Sequence, residues 1–242
     1  MSWIWGAAIL LAATRSWAVT ETTQTFKLLD PKTKQVLVTG AEHVRAQNGA
    51  VVRHTEYRAG NELVATEDAT IDGKRLMVQQ YRFRNLKTGE EATLAVKAGK
   101  ASATYRKAKG RGVDEEVIDW SKSSLHGKLL PELLLGNWDE LQRGEAVEFD
   151  LYVPFRMDTI RFRATKNDKP MVVSQRKLTT FRVEPTNFVI RQLAPTIYFT
   201  FEDSAARGLL HYRGPSLVDI AGEKNRTVDI FFQTPESPSG KG

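Results

Sequence analysis

The chain has no cysteine. This excludes disulfides, thiolate metal sites and cysteine nucleophiles, and also a lipid-modified N-terminal cysteine. Histidine is scarce: His43, His54, His126 and His211 are the whole supply. No G-x-S-x-G elbow, P-loop or H-E-x-x-H motif occurs, so no catalytic signature is present and no cofactor is implied. Beyond the first residues, no apolar run approaches the roughly 20 residues that cross a bilayer as a helix. An exported domain of this kind, without disulfides, must rest on its hydrophobic core.

Residues 1–18 are expected to be a cleaved signal peptide. Ile4 to Ala13 is almost uninterruptedly apolar, and Ser16-Trp17-Ala18 puts small residues at the −3 and −1 positions of a cleavage site. The mature protein is then periplasmic or secreted, with one β-rich domain over 19–234. Pro235 to Gly242 is rich in Pro, Ser and Gly and is expected to be a disordered tail.

What remains is 41% hydrophobic and 26% charged, ordinary for a globular domain. Turn signals recur from Thr25 to Tyr105: Asp30-Pro31, Asn48-Gly49, Gly60-Asn61, Asp72-Gly73, Thr88-Gly89 and Ala98-Gly99. Their spacing of about 8–12 residues is that of an all-β meander or barrel. A two-residue loop at Gly60-Asn61 pairs Tyr57 with Val64, and one at Asp72-Gly73 pairs Val64 with Tyr81. Leu63, Ile71, Leu76 and Val78 make the opposite face apolar too. Such a sheet either carries a second layer or curls around a cavity.

The second half shows the same period of two. Val147, Phe149, Leu151 and Val153 alternate with polar residues, then Ile160, Phe162 and Ala164, then Ile197, Phe199 and Phe201. A loop at Asn167-Asp168 places Phe162 opposite Val173. Between the halves, Ser123 to Gly144 breaks the rhythm: Leu129, Leu130, Leu133, Leu134, Trp138 and Leu141 have helical spacing. Pro131 suits a first turn, and Gly136-Asn137 ends one helix and caps the next. The fold class expected is mainly β: an antiparallel curved sheet or partly open barrel with a short helical insertion at about 123–144.

Two sites suggest themselves. Phe149, Leu151, Ile160, Phe162, Ile197, Phe199 and Phe201 are candidate lining of an apolar ligand cavity. The Asn48-Gly49 turn sets His43 opposite His54, and the next hairpin sets Glu67 opposite His54, a two-histidine, one-carboxylate metal set. The net charge of +6 favours acidic partners or an anionic membrane surface. Lys100, Arg106, Lys107, Lys109 and Arg111 form one basic cluster; nothing aromatic lies among its Arg106–Arg111 cations as nucleic-acid stacking requires. Arg161, Arg163, Arg182 and Arg191 read as the solvent face of strands.

The phrases EPTNFVIRQLAPTIYFTFED and GLLHYRGPSLVDIAGEKNRTVDIFF, with the β pattern and helical insertion, resemble exported bacterial curved-sheet proteins of unassigned function. These include the half-barrel carriers that ferry lipoproteins across the periplasm. The resemblance implies a curved sheet wrapped over helices, with an interior suited to acyl chains. The leading expectation is an exported binding protein for a lipid or other amphipathic ligand. An envelope scaffold binding another protein through a strand edge or the Leu129–Leu141 face comes second, and a metal-dependent enzyme third.

Overall fold

The computed structural model describes residues 21–168, 177–218 and 226–233. The expected signal peptide and tail, and Val173, lie outside them. The described residues form one 15-stranded sheet. Its first half is a meander: β1 (Thr22–Leu29), β2 (Val36–Gln47), β3 (Ala50–Ala59), β4 (Glu62–Asp72), β5 (Met77–Asn85), β6 (Glu91–Lys97), β7 (Lys100–Arg106) and β8 (Asp114–Asp119). After the short β9 (Ser124–Leu125) come a 3-10 turn (Gly127–Leu129), α1 (Leu130–Gly136) and α2 (Trp138–Gln142). The chain then returns through β10 (Val147–Val153), a 3-10 turn (Pro154–Arg156), β11 (Asp158–Lys166), β12 (Leu178–Pro185), α3 (Phe188–Leu193), β13 (Ile197–Glu202), β14 (Leu209–Pro215) and β15 (Thr227–Phe232).

The first and last strands meet mid-sheet, where β1 pairs with β15, so the edges are β8 and β9. All pairings are antiparallel except β9 with β10. Hairpin turns are set by residues that accept positive φ. Asn48 (51°) and Gly49 (78°) do so at the β2–β3 turn, as a type I′ turn requires.

The continuous inner face carries Phe26, Val38, Tyr57, Phe181, Val183, Phe199 and Phe201, all buried. Gly40 lies between Phe26 and Tyr57 in the cross-strand row. A Cβ there would run into the Phe26 ring and come within 2.8 Å of the Glu56 carbonyl oxygen, so only glycine lets that ring lie flat on the sheet.

The sheet is curved enough to overlap itself. Tyr152, on the face of β10 turned away from Phe149 and Leu151, packs with Trp120 and His126, and His126 in turn lies on Tyr81 of β5. The Pro154–Arg156 turn packs on β6 and β7. The helical insertion lies inside this roll. Leu129, Leu130, Leu134, Trp138 and Leu141 are buried, and α2 packs on β11. The two helices fall where the leucine spacing and Gly136-Asn137 put them. With 7 and 5 residues they are too short to stand alone, so their structure depends on the surrounding sheet.

Three registers differ from the sequence reading. A bulge between Tyr57 and Arg58 moves Tyr57 from Val64 to Ala65. The β4–β5 turn spans residues 73–76 rather than two, with Leu76 at φ 51°, so Tyr81 faces Ala69 and not Val64. The β11–β12 connection is long, and Phe162 faces Pro185 rather than Val173. The longer β11–β12 connection leaves Phe162 on the buried face, but the shifts at β3–β4 and β4–β5 carry Glu67, Ile71 and Val78 onto the same face as Tyr57 and Tyr81, where Ile71 and Val78 were expected on the opposite one. Helix α3 was not foreseen; Asn187 caps it, its side chain accepting from the N–H groups of Val189 and Ile190.

Candidate functional site

Charged groups of the inner face gather where the helical insertion meets β2 to β5. Glu67 of β4 lies across from Thr55 and Phe83, which brings Tyr57 and Tyr81 diagonally to it from either side. Both hydroxyls donate to its carboxylate, at 3.0 and 2.9 Å. The Lys128 ammonium is 2.6 Å from the same carboxylate, and donates to Glu42 at 3.1 Å and to Thr55 at 2.9 Å. One turn on, Glu132 pairs with Arg53, whose guanidinium also donates to the Lys128 carbonyl at 3.2 Å. Three sheet residues thus grip two residues of the insertion by charge.

The energetics follow from burial. Loss of solvent disfavours the Lys128 ammonium, but Glu67 and Glu42 outweigh it and hold its pKa above the ordinary value. Burial likewise opposes ionisation of Glu42, and Lys128 and Arg53 reverse this. The Tyr57 and Tyr81 phenols are pushed well up, first by burial and then by Glu67, so both remain donors. Two polar atoms of the cluster, Arg53 Nε and Glu132 Oε2, are buried without a partner. The arrangement is a lock in which most polar atoms are paired and a small residual polar demand remains.

His126 sits at the edge of this lock. Its Nδ1 accepts from the Lys128 N–H at 3.2 Å, capping the 3-10 turn, so the ring proton is on Nε2. Burial, with Lys128 beside it, pushes its pKa from 6.5 down to about 3. The folded state therefore binds fewer protons than the unfolded state across that window. The stability His126 confers is complete above pH 6.5 and is lost as pH falls toward 3. Urea unfolding should show stability declining from pH 6.5 to 4.5, and His126→Gln should flatten part of that slope. His211, whose pKa burial also lowers against the pull of Asp229, adds to the slope, as do carboxylates held low in the folded state such as Asp30 and Glu42. An unchanged slope in the variant would assign the whole effect elsewhere.

The seven residues proposed as cavity lining share the inner face. Phe149, Leu151, Phe162, Ile197, Phe199 and Phe201 are buried and Ile160 is half-buried. Phe149 stacks on Phe162 across β10 and β11, centroids 6.2 Å apart. Trp138 of α2 meets Phe181 and Phe201 edge to face, at 5.1 and 6.0 Å. With the helices seated, this face is covered by the insertion. A cleft of about 240 Å³ beside it, lined by Trp138, Asp139, Arg143 and Arg207 among others, is small against the roughly 300–1,000 Å³ of ordinary ligand sites.

The proposed metal set is not assembled. His43 does lie across from His54, ring centroids 6.4 Å apart. Glu67, however, faces the interior, because the bulge after Tyr57 places Asp68, not Glu67, opposite His54. His54 Nδ1 is 2.7 Å from Asp68 on the outer face. The described residues contain no group of three or more such side chains able to hold a metal ion.

The buried lock was missed in the sequence, though two signals were available. Glu67 alternates with Ala65, Ala69 and Ile71 along one strand face, and Lys128 precedes a run of leucines. A charge at a position that the pattern assigns to the core needs a partner, but the sequence alone does not name it.

No known protein family and no curated protein matches the sequence. The fold is similar to a solved β-barrel-like protein from Brucella abortus, a domain of unknown function designated DUF1849. The match has a TM-score of 0.50 and covers 89% of this chain and 97% of that one. At 8% identity the likeness shows a common β-barrel-like fold and nothing of function. It agrees with a curved-sheet bacterial protein and leaves the lipoprotein-carrier resemblance without support.

Proposed function

We propose that the protein is an exported binding protein of the cell envelope, whose interior accepts a lipid or other amphipathic ligand when α1 and α2 move aside. One observation carries this reading: the aromatic inner face at Phe181 and Phe201 is covered by Trp138 of a separate helical insertion. The insertion is held at one end by the Lys128 and Arg53 ion pairs and at the other by Trp138. Polar locks of this kind exchange for water more readily than an equal area of apolar packing, so they suit a segment that must leave and return. The bound ligand would contact Phe181, Phe199 and Phe201 in place of Trp138.

Because the chain lacks cysteine, the test is clean. Gln142 of α2 donates to Thr179 of β12 at 3.0 Å, so cysteines at these two positions can be joined by a short thiol-reactive crosslinker. The unmodified protein should bind a fluorescent fatty acid, and the crosslinked form should lose that binding while keeping its melting temperature. Equal binding before and after crosslinking, or none in either form, overturns the reading.

A second reading, an envelope scaffold, is favoured by β8. This edge strand is solvent-exposed along nearly its whole length and pairs only with β7. The Leu129–Leu141 face is buried inside the roll, so a partner would have to add to the β8 edge.

A further inference from the structure

An antiparallel meander sends alternate connections to opposite rims of the sheet. One rim of the described structure carries the β1–β2, β3–β4, β5–β6, β7–β8, β10–β11, β12–β13 and β14–β15 connections. Of the exposed large apolar residues, Val36, Leu86, Val113, Phe155, Leu217 and the pair Phe188–Val189 all lie there. Leu76 is on the opposite rim and Val117 is on β8. Chance would divide these residues between the two rims, and the Ser123–Gly144 insertion accounts for none of them.

The residues are contiguous along one arc. The turn bearing Phe155 packs on β6 and β7, whose ends on this rim lead to Leu86 and to the loop with Val113. Helix α3, with Phe188 and Val189 at 63% and 64% exposure, joins the next pair of strands. Cations are interspersed with these tips. Arg156 follows Phe155, Lys87 follows Leu86, and Lys107, Lys109 and Arg111 stand exposed in the Val113 loop. The basic run singled out in the sequence is thereby divided: Lys100 lies at the far end of β7, and only its loop portion belongs to this rim. Beside α3, Arg163, Arg182 and Arg191 all converge on a single oxygen of Glu184, at 2.7, 2.7 and 3.2 Å. One carboxylate cannot neutralise three guanidinium groups, and all three remain partly exposed.

We propose that this rim docks the protein on an anionic phospholipid bilayer, with Phe155, Phe188 and Val189 entering the headgroup layer and the loop cations and the Glu184 arginines meeting lipid phosphates. Single apolar tips separated by cations match a surface of alternating acyl and phosphate groups, whereas a protein partner would need one continuous apolar patch. The inference goes beyond ligand binding in the interior and does not depend on it.

The test is co-sedimentation of the full chain with phosphatidylcholine vesicles, with and without phosphatidylglycerol. Binding is expected only with phosphatidylglycerol, and weaker at high salt. Phe188→Ser with Val189→Ser, and separately Phe155→Ser, should each weaken it by about tenfold or more. Lys107→Glu, Lys109→Glu and Arg111→Glu together should abolish it. All these side chains are exposed, and unchanged thermal melts would verify folding. Phe188→Trp should give a blue-shifted emission on vesicles. Any of four results overturns the proposal: no binding to phosphatidylglycerol vesicles; full binding by the serine variants, leaving only net charge; equal loss on Lys74→Glu with Arg75→Glu at the opposite rim; or self-association that the serine variants abolish, which gives the rim to a second copy.

Discussion

Lys128→Met should lower the folding stability by about 3–5 kcal/mol, because it strands the Glu67 and Glu42 carboxylates in the interior. The pH dependence should also change. Without the ammonium, burial raises the folded pKa of Glu42 against the remaining pull of Arg53. At Glu42 the folded state then binds more protons, and its contribution to stability falls as pH rises from about 4.5. Acidification from neutrality should therefore weaken the variant less than the unmodified protein, since His126 and His211 act in both and only the variant gains from protonating a buried carboxylate. Adding Glu42→Gln and Glu67→Gln to Lys128→Met should recover most of the loss, since amides cost far less to bury than charges. Urea midpoints at two pH values are enough to check this. A loss below about 1 kcal/mol, the level of a surface pair, would mean that water reaches the cluster in solution.

Trp138→Ala should cost about 3–5 kcal/mol, the range for deleting a large aromatic from a packed core. The indole fills the space over Phe181 and Phe201, and Arg207 lies over its ring with the guanidinium carbon 4.6 Å from the centroid. The truncation removes packing from the insertion but leaves the ion pairs at Lys128 and Arg53 intact. If the interior is the ligand site, the variant should bind a fluorescent fatty acid more tightly than the unmodified protein well below its melting temperature. Weaker binding together with the expected loss of stability would make Trp138 part of the binding surface instead of its cover. A cost within about 0.5 kcal/mol would show that α2 is not seated on the sheet.

Much of the local architecture was legible from the chain. The period of two in Val147–Val153 and Ile197–Phe201 identified strands and their buried faces because side chains alternate strictly in a pleated strand. Asn48-Gly49 set a register correctly, since few residues accept positive φ at both central positions and this pair does so cheaply. Gly60-Asn61 and Asp72-Gly73 misled for a physical reason. A bulge near Tyr57 and a four-residue turn before Met77 each shift the pairing, and nothing in the residue types marks either. That small shift moved Glu67 from the outer face with the histidines to the inner face with two tyrosines and a lysine.

By itself the sequence determined which residues are strands, which faces are apolar, and that a leucine-rich helical insertion interrupts them. These are consequences of local geometry and of water's exclusion of apolar surface, both of which act along a short stretch of chain. Only the tertiary structure decided that β1 closes on β15, that the insertion sits inside the roll, and that Lys128 meets Glu67 and Glu42 there. It also gathered Phe155, Phe188, Leu86 and Val113 on one rim. Those groups are separated by up to about two hundred residues, as Phe26 and Phe232 are. Their meeting depends on the summed curvature of fifteen strands, a property that no single segment carries.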